Sequence, residues 1–317
     1  MPRLFIHVGH GKTGSSFIQS TFANSINNLK ENRIVYPVND RIRLAASGGI
    51  SSGNGSMLLN EFKILENHNI KSDDSILVSG EILFNKLLSK DVIENTEAIL
   101  SKFNITEISC LLFIRDPIAH AASFYQQLIK REGYTSSIES FFETYKTPQV
   151  VYSFIKELST RPMYSITVNN YSYVKKDINQ CVADWLSIPK SSLSPPNIST
   201  VNRSLTHGEL TMQRYLNTAL GRSGNIISDR LCEKLPHIKS EVFLPDSHSQ
   251  NQLWARLNPA IEKVNAMIDP KHHYTNDSKS PSIDQEQDTF KFSSAQLREI
   301  VDGFSQEIVR LRGKKAK

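Results

Sequence analysis

Short apolar runs alternate with amphipathic segments through the first half of this chain. Each run is about as long as a β-strand, and the segments between them repeat apolar residues every three or four positions, which predicts helices. Strands that alternate with helices are typical of a parallel sheet covered by helices on both faces. We therefore predict an α/β fold, with a parallel β-sheet flanked by helices. The predicted strands lie at residues 4–8, 34–37, 75–79, 111–114 and 163–168.

The same periodicity places helices between these strands, and the pattern changes in the second half of the chain. The predicted helices lie at residues 17–29, 82–87, 121–129 and 138–158. Residues 45–57 are rich in Gly and Ser and predict a mobile loop, while residues 275–289 are polar and predict a flexible segment. Apolar residues at helical spacing over 297–311 predict a terminal amphipathic helix that docks on the body.

These patterns predict an α/β core over residues 1–185, followed by a mostly helical part over residues 186–317. Residues 186–204 are rich in Ser, Pro and Asn, but no clear linker separates two independent domains. We therefore expect one continuous domain, in which the helical part packs on the core and completes a substrate-binding cleft.

Composition and charge narrow the class of protein. A hydrophobic content of 39% and a charged content of 22% are ordinary for a soluble globular protein. The net charge of +5 suits an anionic ligand but is too small to indicate nucleic acid. The chain has neither a signal-peptide pattern nor an apolar run of membrane-spanning length, so we expect no stable membrane insertion. Three isolated cysteines fit reduced thiols, and we expect a cytoplasmic protein.

The first predicted strand leads directly into a turn with the sequence GHGKTGSS at residues 9–16. Glycines allow backbone N–H groups to approach an anion closely, and a helix that begins after the turn adds further donors. Lys12 supplies a positive charge in the same turn. This combination predicts a loop that binds the phosphate groups of a ligand, most simply a nucleotide. The alternative is an ordinary tight turn with a lysine on the surface.

The pattern differs from that of nucleoside triphosphatases. Their loop places Lys directly after the last Gly and before Ser or Thr, and an Asp at the end of another strand organises Mg²⁺. Here Gly14 follows Lys12, and the strand at 111–114 ends in Arg115. A cation at that strand end favours a second anionic group on the ligand over a metal ion.

These residues resemble the sulfotransferases that use 3′-phosphoadenosine 5′-phosphosulfate (PAPS). The family's 5′-phosphosulfate loop has the form Lys-x-Gly-Thr-Thr/Ser, which residues 12–16 match. Its 3′-phosphate motif places Ser eight residues after an Arg at a strand end, as Arg115 and Ser123 are placed here. The resemblance covers about residues 1–185 and implies a P-loop-like sulfotransferase fold. It does not extend to the C-terminal Arg-Lys-Gly motif of the small-molecule branch, and Arg203 or Arg222 could take its place.

The resemblance also implies roles for individual residues. Lys12 would contact the oxygen between phosphate and sulfate, and Arg115 and Ser123 would bind the 3′-phosphate. Phe17 and Tyr171 would lie beside adenine, although both could equally pack in the core. The remaining residues implied in binding the 5′-phosphosulfate are Gly11, Thr13, Gly14, Ser15 and Ser16.

Transfer to a hydroxyl group requires a base that removes its proton. Relatives carry this base just beyond the second long strand, where this chain has Glu81. We expect its carboxylate to stay ionised beside Lys12, although an acid in a first helical turn can also be purely structural. His10 and His120 are the alternative bases, and each could instead be a structural hydrogen-bonding group.

The predicted function is metal-independent transfer of a sulfuryl group from PAPS to a hydroxyl or amine, releasing 3′-phosphoadenosine 5′-phosphate. The resemblance favours the carbohydrate-type branch, so we expect a carbohydrate or glycolipid acceptor and a bacterial enzyme. Two alternatives stay open: an ATP- and Mg²⁺-dependent kinase of small molecules, and a protein that binds 3′-phosphoadenosine nucleotides without catalysis. The sequence leaves the oligomeric state undetermined.

Overall fold

The computed structural model describes most of the chain as two compact units, each built from non-consecutive segments. The described residues are 2–38, 42, 53–59, 70–101, 104–196, 203–241, 243–276 and 291–314. The first unit comprises Met1–Pro117, Lys146–Val201 and Arg256–Asn276. The second unit comprises Ile118–Tyr145, Asn202–Ala255 and Asp277–Lys317. These units do not follow the boundary that we expected near residue 185, because residues 118–145 group with later helices.

A five-stranded, all-parallel sheet forms the centre of the first unit and confirms the predicted α/β class. Its strand order is β2-β3-β1-β4-β5. The central strands are apolar and buried along their whole length, as expected for a parallel sheet with both faces covered. The strands are β1 (Leu4–Val8), β2 (Ile34–Val35), β3 (Ser75–Gly80), β4 (Ile108–Ile114) and β5 (Tyr164–Asn170).

Helices follow the strands, and they dominate the second unit. Those up to residue 132 are α1 (Ser15–Asn24), α2 (Ile26–Glu31), α3 (Ser56–Leu59), α4 (Ile82–Lys86), α5 (Lys90–Ser101) and α6 (Pro117–Glu132). The next are α7 (Ile138–Thr144), α8 (Thr147–Ser159), α9 (Tyr171–Val174) and α10 (Ile178–Leu186). The last are α11 (His207–Leu220), α12 (Asn225–Lys234), α13 (Ser247–Asn265) and α14 (Ser294–Lys314). Among these described helices, none combines the length and apolar character that crossing a membrane requires.

Two predicted helices are each divided in two. The helix expected over 17–29 breaks at Ser25, whose hydroxyl donates to the Thr21 carbonyl at 2.6 Å and accepts from the Ser194 amide at 2.8 Å. The helix expected over 138–158 breaks between α7 and α8, where Pro148 occupies the first turn of α8 and cannot donate a backbone hydrogen bond. Periodicity alone does not detect either break, because the apolar spacing continues across it.

Apolar packing on one face of the sheet holds α1 in place. Phe5 of β1 meets Trp185 of α10 edge-to-face, with ring centroids 5.2 Å apart, and Phe22 of α1 is wholly buried in the same cluster. The indole Nε1 of Trp185 donates to Ser109 Oγ at 2.9 Å, so the ring is fixed by both packing and a hydrogen bond. This packing directs the first turn of α1 toward the carboxyl end of β1.

The second unit has its own small core. Buried Ile227 and Leu231 of α12 pack with Ile300 of α14, which is the terminal amphipathic helix predicted over 297–311. Of the loop predicted over 45–57, only residues 53–57 lie within the described part, and the last two of them belong to α3. Residues 277–289 of the predicted polar segment lie outside the described residues.

Candidate functional site

The loop after β1 has an unusual backbone conformation. Lys12 has φ +66° and Gly14 has φ +85°, while Thr13 between them is outside the positive region. A left-handed φ at a lysine costs about 1–3 kcal/mol, and residues strained in this way cluster at functional sites. Alternation of the sign of φ turns successive N–H groups toward one side and forms a concave site for an anion. The backbone conformation therefore suits the predicted phosphate loop.

Helix α1 begins directly at this loop. Gly14 is its N-cap residue, and no described side chain caps the helix with a hydrogen bond. Its first-turn N–H groups and the positive end of its dipole therefore favour an anion at this position. The hydroxyls of Thr13 and Ser15 both donate to the His10 carbonyl, at 2.5 and 3.2 Å. Both hydroxyls therefore shape the loop, and the roles of Thr13 and Ser15 in binding the 5′-phosphosulfate stay predictions.

Glu81 lies against the loop because Gly9 has no side chain. The Gly9 amide donates to the Gly80 carbonyl at 3.1 Å, which joins the ends of β1 and β3. A Cβ atom at position 9 would be 2.8 Å from the Glu81 backbone nitrogen and 2.9 Å from its Cγ. Glycine is therefore required for this close approach, and the approach brings the carboxylate of Glu81 to the lysine loop.

The electrostatics of Glu81 differ in part from the expectation. Although its side chain is exposed at the surface, desolvation by the surrounding protein raises the pKa of the Glu81 carboxyl above its ordinary value. The positive charge of Lys12 acts in the opposite direction and limits this rise. The two groups therefore interact electrostatically, as a shared site requires. The net shift of the Glu81 pKa is upward, so the protonated form of this carboxyl is favoured more than we expected.

Arg115 brings the end of β4 to the same loop. Its Nη1 donates to the Lys12 carbonyl at 3.2 Å, and its guanidinium lies 6.0 Å from the ring centroid of Tyr171. The Tyr171 ring in turn lies beside the loop, since a Cβ at Gly14 would be 2.9 Å from its Cε2. The carboxyl ends of β1, β3, β4 and β5 thus bring Lys12, Glu81, Arg115 and Tyr171 together within the first unit.

A hydrogen-bond network that sequence reasoning missed fixes the backbone beside Arg115. Buried Asp116 accepts from the side chain of Asn170 at 2.9 Å and from the Thr275 amide at 3.2 Å. The Asp116 amide donates to Ser172 Oγ at 3.2 Å, and the Ser172 amide donates to Asn170 Oδ1 at 3.0 Å. Polar residues at the carboxyl ends of two predicted parallel strands were the available signal, because neighbouring strand ends meet at one edge of the sheet.

No family model and no curated protein matches this chain. In the part of the chain that the structure describes, no group of three or more His, Cys, Asp or Glu side chains could hold a metal ion.

Two predicted site residues occupy apolar surroundings. Phe17 is half-buried and packs against the apolar cluster on α1 and α10. This agrees with the alternative that Phe17 packs in the core. His10 is buried, its ring lies 4.9 Å from that of Phe84, and burial lowers its pKa to about 4. His10 is therefore neutral at physiological pH, which is the form that accepts a proton, but its ring is buried whereas Glu81 is exposed, so Glu81 is the better candidate for the base.

Four other residues lie in the second unit. The His120 ring is buried and its Nδ1 bonds the hydroxyl of Tyr145 at 2.8 Å, a structural arrangement, while Ser123 is half-buried on the same helix, α6. The catalytic and binding roles of these two stay predictions.

Arg203 forms a wholly buried, two-pronged ion pair with Glu209 at 2.7 Å. Arg222 pairs with Glu132 at the surface. The idea that Arg203 closes a phosphate site is therefore wrong, because its guanidinium is committed to the core.

Proposed function

We propose that the chain is a PAPS-dependent sulfotransferase, with the P-loop-like fold that its loop suggests. One observation carries this proposal: Arg115 hydrogen-bonds the backbone of Lys12, while Glu81 lies against Gly9 of the same loop. A cation, an anion-binding loop and a candidate base are thus contiguous at the carboxyl edge of a parallel sheet. In α/β proteins with open sheets, ligands bind at this edge.

The proposed reaction moves a sulfuryl group from PAPS to an acceptor hydroxyl or amine. The acceptor atom forms a bond to sulfur while the bond from sulfur to the bridging phosphate oxygen breaks, which leaves 3′-phosphoadenosine 5′-phosphate. Lys12 and the N–H groups of its loop stabilise the negative charge that develops on the leaving phosphate. Glu81 removes the acceptor proton. Arg115 binds the 3′-phosphate, which distinguishes PAPS from ATP.

The acceptor is proposed to be a carbohydrate or glycolipid. This follows from the resemblance to the carbohydrate-type branch, and PAPS is the only co-substrate that the mechanism needs. In this arrangement, Lys12 and the backbone N–H groups of its loop are the groups that stabilise the negative charge on the leaving phosphate.

Ligand preference gives the first test. The full chain is heated with 3′-phosphoadenosine 5′-phosphate, with 5′-AMP and with ATP plus Mg²⁺, each at the same concentration. We expect only the first to raise Tm, by roughly 5–10 °C near a hundred-fold excess over its Kd, since ligand binding stabilises the folded state. Arg115→Met should remove the preference over 5′-AMP. Arg33→Met, at an exposed surface ion pair, is the matched control and should retain it.

Three results would contradict the proposal. Stabilisation by ATP and Mg²⁺ alone would favour a kinase. Equal stabilisation by 5′-AMP and the diphosphate would show that no group recognises the 3′-phosphate. Binding of PAPS without sulfuryl transfer to any carbohydrate would favour a non-catalytic nucleotide-binding protein.

The pH dependence tests the role of Glu81. Because the pKa of Glu81 is raised, protonation should begin to remove the base at a higher pH than for an ordinary glutamate. We expect kcat/KM for transfer to rise with pH through this raised pKa and then to level off. Glu81→Gln should lower kcat/KM about 10²–10⁴-fold and abolish the rise. Glu31→Gln, at an exposed position on α2, should leave the profile unchanged, and a wild-type profile that survives in Glu81→Gln would exclude this base.

A further inference from the structure

Strand β3 extends past the end of its neighbour β2. The ladder with β2 covers only Ser75 and Ile76, so no described strand lies beside residues 77–80 on that side. Backbone groups along a strand face its two neighbours alternately, so Leu77 and Ser79 face the uncovered side, as Ser75 does. Buried N–H and C=O groups need hydrogen-bond partners, so this edge must be completed from elsewhere in the chain.

Asn54 supplies these partners. Its Oδ1 accepts from the Ser79 amide at 2.7 Å, and its Nδ2 donates to the Leu77 carbonyl at 3.4 Å. The same Nδ2 donates to the carbonyl of Pro37, beyond the end of β2, at 3.1 Å. The Gly55 amide donates to the Ser79 carbonyl at 2.8 Å. One wholly buried side-chain amide and one backbone N–H therefore complete the edge of β3 in place of a strand.

The residues on either side of Asn54 are glycines, and both are required for this close approach. Gly53 has φ +73°, and a Cβ atom there would clash with the carbonyl oxygen of Ser79. A Cβ atom at Gly55 would be 3.0 Å from the Cα of Gly80. The glycines therefore let the backbone come close enough to β3 for the Asn54 amide to bond it.

The end of β3 that Asn54 completes leads directly to Glu81. On the side of β1, the Gly80 carbonyl accepts from the Gly9 amide at 3.1 Å. On the opposite side, Ser79 is bonded by Asn54. The backbone that carries Glu81 is thus held from both sides, and the lysine loop provides only one of the two attachments.

We propose that Asn54 is a positioning residue, whose amide fixes the end of β3 from which Glu81 reaches the lysine loop. This role rests on the proposed function, in which Glu81 removes the acceptor proton. Because Asn54 is wholly buried, it acts through the backbone of β3 and not by contact with a substrate. A displacement of about 1 Å in a catalytic group lowers a rate by about a hundred-fold.

The rate of a single turnover tests this role, with a second buried asparagine as the matched control. Asn217 of α11 donates through Nδ2 to the carbonyls of Ile129 and Tyr134, at 2.7 and 3.0 Å. Asn54→Ala and Asn217→Ala each leave two carbonyls without this donor, so both should lower Tm. Only Asn54→Ala should also lower the single-turnover rate at saturating PAPS, by about a hundred-fold. Its affinity for 3′-phosphoadenosine 5′-phosphate should be retained.

A double variant separates positioning from a general loss of structure. If Asn54 acts through Glu81, then Asn54→Ala should scarcely lower the rate further in the Glu81→Gln background, since residues that act as a unit have non-additive effects. A merely structural role would lower the rate by the same factor in both backgrounds. That result would overturn the proposal, as would a wild-type rate in Asn54→Ala or an equal loss of rate in Asn217→Ala.

A measurement that needs no turnover keeps this proposal distinct from the proposed function. Titration of the Glu81 carboxyl by ¹³C NMR, assigned with Glu81→Gln, gives its pKa in each variant. Desolvation raises this pKa and is a larger influence than the charge of Lys12, so displacement of Glu81 should lower it toward the ordinary value. We expect that change in Asn54→Ala and no change in Asn217→Ala.

The two failures are then distinguishable. A Glu81 pKa that is unchanged in Asn54→Ala would overturn the positioning role, whether or not the protein transfers sulfuryl groups. A wild type that transfers none, with the Glu81 pKa lowered in Asn54→Ala, would reject the proposed function and still support the dependence of Glu81 on Asn54. Asn54→Ser receives the same measurements if circular dichroism shows that Asn54→Ala is unfolded, and its pKa and rate should change in the same directions.

Discussion

Replacing Lys12 by Met should lower the rate of sulfuryl transfer about a thousand-fold, the loss expected when one donor to a developing negative charge is removed. Lys12 is the cation of the proposed anion-binding loop, and its backbone carbonyl accepts from Arg115. Met keeps the length of the side chain, and the backbone bond to Arg115 does not depend on the side chain. Single-turnover transfer from PAPS should therefore fall far more than the affinity for 3′-phosphoadenosine 5′-phosphate.

The same substitution has an independent electrostatic consequence. The charge of Lys12 holds down the pKa of Glu81, which desolvation raises. Without that charge the pKa should rise further, and the acidic limb of the kcat/KM profile should move to higher pH. Lys30→Met, on the exposed side of α2, is the control and should change neither rate nor profile. An unchanged single-turnover rate in Lys12→Met would rule out the proposed charge stabilisation.

Replacing Arg203 by Met should destabilise the second unit more than any surface substitution. Arg203 and Glu209 are wholly buried and bond each other twice. Glu209 also accepts from the Thr206 amide at 2.9 Å and from Gln296 of α14 at 2.8 Å. Removal of the arginine leaves a buried carboxylate without its countercharge, which costs about 3–5 kcal/mol. At roughly 2–4 °C per kcal/mol, Tm should fall by about 10 °C.

The pH dependence of stability gives a second readout for this pair. Burial alone would raise the pKa of Glu209, but hydrogen bonds from Arg203 and Gln296 outweigh it, so the net pKa is lowered. Its stabilising contribution is therefore present above the ordinary glutamate pKa and is lost as pH falls through the lowered value. Arg203→Met should abolish that part of the pH dependence.

Glu209→Gln and Glu132→Gln form a matched pair of controls. Both remove one carboxylate from an ion pair with arginine, but the pair of Glu132 with Arg222 is exposed. Glu209→Gln should lower Tm substantially, whereas Glu132→Gln should change it by roughly 2 °C at most, because exposed ion pairs contribute little. Similar shifts in both variants would show that the buried network does not hold the unit together.

Much of the fold could be predicted because its signals are local. Apolar runs at β1, β3 and β4 are buried along nearly their whole length, so composition alone marks them as strands of a covered sheet. The glycine turn before α1 can also be predicted from the sequence. Its glycines are there because a Cβ at Gly9 would clash with Glu81 and a Cβ at Gly14 would clash with Tyr171. Local spacing therefore suffices to position Lys12 at the start of a helix.

Other features depend on residues far apart in the chain. Asp116 bonds Asn170 and the Thr275 amide, and nothing near Asp116 in sequence specifies those partners. Arg203 resembles a candidate phosphate ligand in sequence, but its burial with Glu209 makes it part of the core. The division of the helix expected over 17–29 likewise depends on the bond between Ser25 and Ser194.

The amino-acid sequence by itself determined the parallel α/β class, the glycine turn before α1 and the terminal helix α14, because each follows from the order of neighbouring residues. Only the tertiary structure decided that Arg115 meets the Lys12 loop, that Arg203 is buried and that the units combine non-consecutive segments. The physical reason is that a side chain's environment depends on which distant segments pack against it, and the periodicity of one segment carries no information about its partner.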